Sequence, residues 1–196
     1  MAHNRPYRDA ALADLTVDQG TRPKMPPLAK AQDHHRQKGR HLAAIHRMYL
    51  REMTQIGQFL DDIDAGRAAP AGLVDVISGA KLVRNMQLFG TLCGRECQVL
   101  TFHHNAEEDM IFPQLNAQQI PALTQVVERL KTEHLVVHEL LIRLDEAAQN
   151  LANDQTADHF ETARALYKQL FAVVRSHFGY EETELQEALG LYVPVI

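Results

Sequence analysis

The stretch Leu123–Leu144, LTQVVERLKTEHLVVHELLIRL, decides the fold. Its apolar residues Leu123, Val127, Leu130, Val137, Leu141 and Leu144 recur every three or four positions, the period of a helix with one buried face. His134 and His138 fall in the same seam, four residues apart. A helix stacks such a pair one above the other, here on the side that faces a core. Pro121, a residue favoured in a first helical turn, predicts where this helix starts.

Three other segments share this character. Leu42, Ile45, Tyr49, Met53, Ile56 and Leu60 keep the spacing through a helix expected from about Asp33 to Asp64, with His46 among them. A long helix is expected from about Leu73 to Phe112, where Val76, Leu82, Val83, Met86, Phe89, Leu92, Val99 and Leu100 lead to His103 and Glu107. Pro113 should stop or kink it, and Gly79, Gly90 and Gly94 weaken its helical propensity and point to a kink or a close helix contact. Phe160, Ala163, Leu166, Leu170, Val173 and Leu185 set His177 and Glu181 on the seam of a last helix. Thr156 or Asp158 can cap its start, and Gly190 and Pro194 should end it. Turns are expected at 61–72 and 150–154. Pro6, Gly20, Pro23, Pro26 and Pro27 make residues 1–32 an irregular arm, and 191–196 form a tail. The expectation is an all-α, up-down-up-down four-helix bundle over residues 33–190.

Bulk composition narrows the class. The chain has 196 residues, is 45% hydrophobic and 23% charged, and carries a formal net charge of −5, which suits one globular domain. Mild acidity argues against a nucleic-acid or anionic-membrane surface, which would need clustered Lys and Arg. No apolar run reaches the roughly 20 residues that span a bilayer, and Met1–Arg8 lacks the apolar stretch of a signal peptide. These readings predict a soluble cytoplasmic protein. The two cysteines, Cys93 and Cys97, give no disulfide framework and read as buried thiols on one helix face.

The polar residues on the seams carry the chemistry. His46, His103 with Glu107, His134 with His138, and His177 with Glu181 converge from four helices, three of the groups as i,i+4 pairs. Burying two ionisable glutamates without partners is strongly unfavourable, and metal ions remove that penalty by supplying positive charge. Nitrogen and carboxylate ligands projecting into a bundle core are what a pair of non-haem irons needs.

Four blocks, IHRMYL at 45–50, HHNAEEDMIFP at 103–113, EHLVVHEL at 133–140 and HFGYEE at 177–182, resemble in this order the hemerythrin-like family of HHE cation-binding domains. The resemblance covers roughly residues 34–190. It implies two carboxylate-bridged iron ions, one held by His134, His138 and His177 and the other by His46 and His103, with Glu107 and a glutamate after His177 as bridges. The second iron is then one ligand short, and dioxygen or a related small molecule, such as nitric oxide or peroxide, binds there. Two choices stay open. His104 and Glu108 form a second i,i+4 pair, although a glutamate six residues before the proline favours His103 and Glu107. Glu182 competes with Glu181, which lies on one stripe with Val173 and Leu185. The ligand set serves a carrier or sensor of dioxygen, a di-iron oxidoreductase acting on peroxide, nitric oxide or a small organic substrate, or an iron-storing module. His34, His35 and His41 read as solvated or capping residues. Phe102, Phe112 and Phe178 read as core that keeps water from the metals. Tyr49 and Tyr180 lie one turn from His46 and His177.

Overall fold

The computed structural model describes residues 5–65, 67, 98–154 and 156–194. Among these the chain is all-α, in the arrangement of a four-helix bundle. α1 spans Asp33–Asp64, α3 Pro121–Asn153 and α4 Ala157–Tyr192. α2 is followed from residue 98 as ordinary helix to 106, then as a π turn over Glu107–Ile111, then as a short α-helical end, Phe112–Asn116. The earlier part expected for α2, with Cys93, Cys97, Gly79, Gly90 and Gly94, lies outside the described residues, as does most of the 61–72 turn. None of the described helices is long and apolar enough to cross a membrane.

The ends of the helices follow local chemistry. Pro121 sits in the first turn of α3, where its missing N–H deprives no partner. Thr156 caps α4, its side chain accepting from the His159 amide at 3.3 Å. Pro113 does not stop α2, which continues to Asn116, but the helix departs from the regular hydrogen-bond ladder in the π turn directly before it. Gly190 lies inside α4, and its small size serves packing.

Among the described residues α4 packs against α1 on one side and α3 on the other, and the end of α2 closes over both α3 and α4. α1 and α4 run antiparallel. At one end Gly39 and Gly190 bring the two backbones together: a Cβ on Gly39 would overlap the Gln186 carbonyl, and one on Gly190 would overlap the His35 carbonyl. At the other end Arg164 of α4 pairs with Asp61 and Asp64 of α1. Among the described residues two apolar clusters fill the interior. One contains Met53, Leu60, Leu100, Leu144, Leu170 and Phe178, and the other Leu42, Phe112, Leu123, Leu130, Leu185 and Leu189.

The arm is a strap laid on the bundle. Among its described residues the one regular piece is a short 3-10 turn, Leu12–Asp14, and Leu15 is fully buried in the first cluster. Arg5 grips Glu139 through two hydrogen bonds of 3.0 and 2.9 Å. The Tyr180 hydroxyl donates to the Pro23 carbonyl at 2.9 Å, and the Leu28 amide donates to Glu187 at 2.7 Å. Gln169 donates to the Leu15 carbonyl at 2.9 Å.

The glycine contacts give a paired test. Gly190→Ala should destabilise the protein by about 1–3 kcal/mol in denaturant unfolding, the usual effect of overpacking. Gly179 has nothing within 4 Å of an added Cβ, so Gly179→Ala should leave stability unchanged or raise it by up to about 1 kcal/mol. Equal effects of the two substitutions would contradict the close α1–α4 contact.

Candidate metal centre

Each helix of the bundle contributes imidazole or carboxylate groups to one buried locus. α1 supplies His46, α2 supplies His103, His104 and Glu107, α3 supplies His134, and α4 supplies His177 and Glu181. All seven are buried, His103 the most accessible at 8%. They fall into two groups whose ligand atoms lie within 4.8 Å of one another: His104, His134 and His177, and His46, His103, Glu107 and Glu181.

The local backbone explains how α2 serves both groups. Neighbouring residues on a helix point about 100° apart, so His103 faces one group and His104 the other. Glu107, four residues from His103 and three from His104, lies between the two. Its Oε1 is 3.0 Å from His103 Nε2 and its Oε2 is 3.4 Å from His134 Nε2. One carboxylate therefore presents an oxygen to each side. The π turn that starts at Glu107 then lets Glu108 reach around to His134 while Phe112 enters the core. π turns of this kind are frequent at functional sites.

The outer nitrogens decide what the inner ones present. His134 Nδ1 lies 2.7 Å from Glu108, His177 Nδ1 3.1 Å from Glu133, and His46 Nδ1 3.0 Å from Glu182. An ionised carboxylate only accepts, so each Nδ1 carries the proton and each Nε2 turns a lone pair inward. His104 Nδ1 is 3.3 Å from His138 Nε2. The inward Nε2 atoms of His104, His134 and His177, with all four carboxylate oxygens of Glu107 and Glu181, are buried without a hydrogen-bond partner. His46 Nε2 and His103 Nε2 lie 3.0 Å apart. Converging lone pairs and two buried acids without hydrogen-bond partners are what a site for cations looks like, and the donor set of imidazole and carboxylate fits iron, manganese or zinc.

The same burial shows in the proton affinities. Removal from water pushes Glu107 up to about 8 and Glu181 well above the usual carboxylate range, Glu107 adding its repulsion to the latter. Burial also lowers His46 to about 4 and depresses His103, His104 and His134. Glu133 behaves differently. Burial works to raise it, but hydrogen bonds from His177 and Arg22 outweigh that and bring it down to about 2.

Six of the seven residues expected from the sequence meet here: His46, His103, Glu107, His134, His177 and Glu181. His138 stands one layer out. Its ring centre is 6.4 Å from that of His134 and its Nε2 faces His104, so His104 supplies the third nitrogen beside His134 and His177. Both members of the 103/104 pair thus face inward. In the other two pairs one member goes in and the other out: Glu107 and Glu181 enter the groups, whereas Glu108 and Glu182 hold histidines from outside. Glu133 and Arg22 were not anticipated. Glu133 lies on the buried stripe of Val126, Leu130, Val137 and Leu140, and an acid at such a position signals a buried partner.

A family model described as the hemerythrin HHE cation binding domain matches residues 37–189. The chain belongs to this family. No curated protein and no solved structure matched it. The HHE assignment agrees with the two His/Glu groups as places that could hold metal cations.

The acids and imidazoles set opposite pH limits on the metal-free HHE domain. Glu107 and Glu181 both have folded-state pKa values raised above the unfolded one, so their contribution is fully present below about pH 4.5, and that of Glu107 is lost as pH rises through about 8. His46, with its depressed pKa, contributes stability that is present above about pH 6.5 and lost as pH falls toward 4. Denaturant unfolding of metal-free protein should therefore show stability falling between about pH 6.5 and 8. In metal-loaded protein the cations hold the carboxylates ionised, and the fall should disappear. A flat metal-free profile over that range would contradict the burial of the two acids.

Proposed function

We propose that this HHE domain holds two iron ions bridged by Glu107 and Glu181, and that it binds or senses dioxygen or a related small molecule such as nitric oxide or peroxide. The observation that carries the reading is the set of inward, unpartnered ligand atoms divided into two groups with Glu107 facing both. His104, His134 and His177 would hold one ion, and His46 and His103 the other. The latter has one protein ligand fewer, and an open position is the general mark of a reactive metal site. When bound, the irons supply Lewis acidity and exchangeable electrons to a small ligand.

The chain's own residues shape the side where that position lies. Phe178 stacks flat on His46, with ring centres 3.7 Å apart and planes within 1°. Tyr49 meets His103 edge-on at 5.5 Å, and His103 also sets its edge against Phe178. These rings lock the two imidazoles in plane and replace water around them with apolar surface, which favours a neutral diatomic over a charged solute.

Metal analysis of protein from iron-replete cells should give close to two irons per chain. His104→Ala should lose as much metal as His134→Ala. His138→Ala should keep both sites and weaken binding by about 10- to 100-fold, as loss of an outer partner does. A wild-type stoichiometry near zero, or none lost in a His134→Ala/His177→Ala double variant, would overturn the reading. Dioxygen added to anaerobic diferrous protein should give a stable charge-transfer band that reverses on degassing. Rapid irreversible oxidation would instead assign turnover or a redox switch.

A further inference from the structure

The arm reaches the metal centre through one salt bridge. Resting on the two-cation reading above, we propose that Arg22 is a positioning residue: through Glu133 it fixes the His177 ring, so that docking of the arm and cation holding by His104, His134 and His177 are coupled.

Arg22 is a buried cation, its side chain only 6% exposed, against a Glu133 side chain that is 2% exposed. The pairing is a two-pronged fork, Nε to Oε1 and Nη2 to Oε2, both 2.8 Å. The third nitrogen, Nη1, donates to the Ser176 hydroxyl at 3.1 Å, and the guanidinium lies 4.6 Å from the centre of the Tyr180 ring. Ser176 and Tyr180 flank His177 on α4. The carboxylate oxygen Oε2 that Arg22 grips is the one His177 Nδ1 donates to at 3.1 Å. Arg129 adds a donor to Oε1 at 3.0 Å. Both oxygens are thereby held, and the plane of the acceptor that orients His177 is set from outside the bundle.

The other two acids behind histidines differ. The side chains of Glu108 and Glu182 are 38% and 30% exposed, so water can replace either one at its imidazole. Glu133 is dry. Without Arg22 its Oε2 would keep only His177, and a buried, half-neutralised acid in that position turns away or takes up a proton. The arm is fastened close by as well. Lys24 and the Met25 amide both meet Glu184, at 3.1 and 2.6 Å. Arg22 is thus carried on a segment whose place on α4 is defined. Coupling of this kind is reciprocal: a cation that orders His177 must strengthen the docking of the arm.

The test uses the full chain loaded anaerobically with ferrous iron. Iron release to a ferrous chelator and hydrogen exchange of residues 18–28 are measured in wild type, Arg22→Gln, Arg22→Lys and Arg5→Gln. Arg22→Gln should release one of the two irons roughly tenfold faster or more, the scale of an outer-partner loss. Arg22→Lys keeps the charge without the fork and should fall between. Arg5→Gln cuts the distant Arg5–Glu139 contact and should stay within about twofold of wild type. In wild type, iron loading should increase protection of residues 18–28, and Arg22→Gln should abolish that increase. If Arg22→Gln does not fold, Glu133→Gln, which keeps the side-chain shape, must show the faster release. Equal release in the Arg22→Gln and Arg5→Gln variants, or equal protection with and without iron, overturns the coupling while leaving the two-iron reading intact. A wild type that takes up no iron overturns both.

Discussion

Two carboxylates in one dry core are the constraint around which this bundle is arranged. Glu107 and Glu181 are fully buried, and none of their four oxygens has a hydrogen-bond partner. In a low-dielectric interior such a pair is unfavourable unless protons or cations neutralise it. Four of the surrounding imidazoles do not supply that charge, since burial keeps His46, His103, His104 and His134 below their ordinary pKa values. They present lone pairs instead. The interior is built to be completed by positive ions, and the apolar clusters on either side hold its walls at a fixed spacing.

Around that interior runs a layer of groups that never face it. Glu108, Glu133 and Glu182 each receive a histidine Nδ1, and His138 meets His104. Each carboxylate contact selects a tautomer and a ring plane, so the geometry of the inner nitrogens is set by the residues behind them. The strap adds a further layer on one side only. The three-nitrogen group is therefore braced from outside the bundle, whereas His46 and His103 are held by Glu182, Phe178 and Tyr49.

The helical period made α1, α3 and α4 readable, because long seams such as Leu123–Leu144 have one interpretation. It also put six of the seven residues on interior faces. Adjacent pairs were harder. At 103/104, 107/108 and 181/182 a rotation of 100° separates two candidates, and a helix wedged between two groups can send both inward, as α2 does with its histidines. The π turn leaves no mark in the pattern of apolar residues, so the reach of Glu108 to His134 could not be foreseen. His138 illustrates the limit of i,i+4 reasoning. Stacking on one face does not place two residues at one depth, and the ring centres of His134 and His138 are 6.4 Å apart. The Arg22–Glu133 bridge spans 111 positions of sequence, and no local rule connects residues that far apart.

The glycine contact between α1 and α4 has a mechanical side. Where Gly39 and Gly190 touch the opposite backbone, the two helices cannot come closer, and the contact acts as a fulcrum. His46 lies about 10 Å along α1 from that point, and Asp64 about 37 Å, at the rise of an α-helix. For a rigid α1, a change in girth at the imidazoles would turn the helix as a lever and be multiplied roughly three- to fourfold at its far end. There Asp61 and Asp64, each about half exposed, meet the Arg164 side chain, which is 17% exposed. Small events in the core have their largest expression at the surface farthest from the glycines.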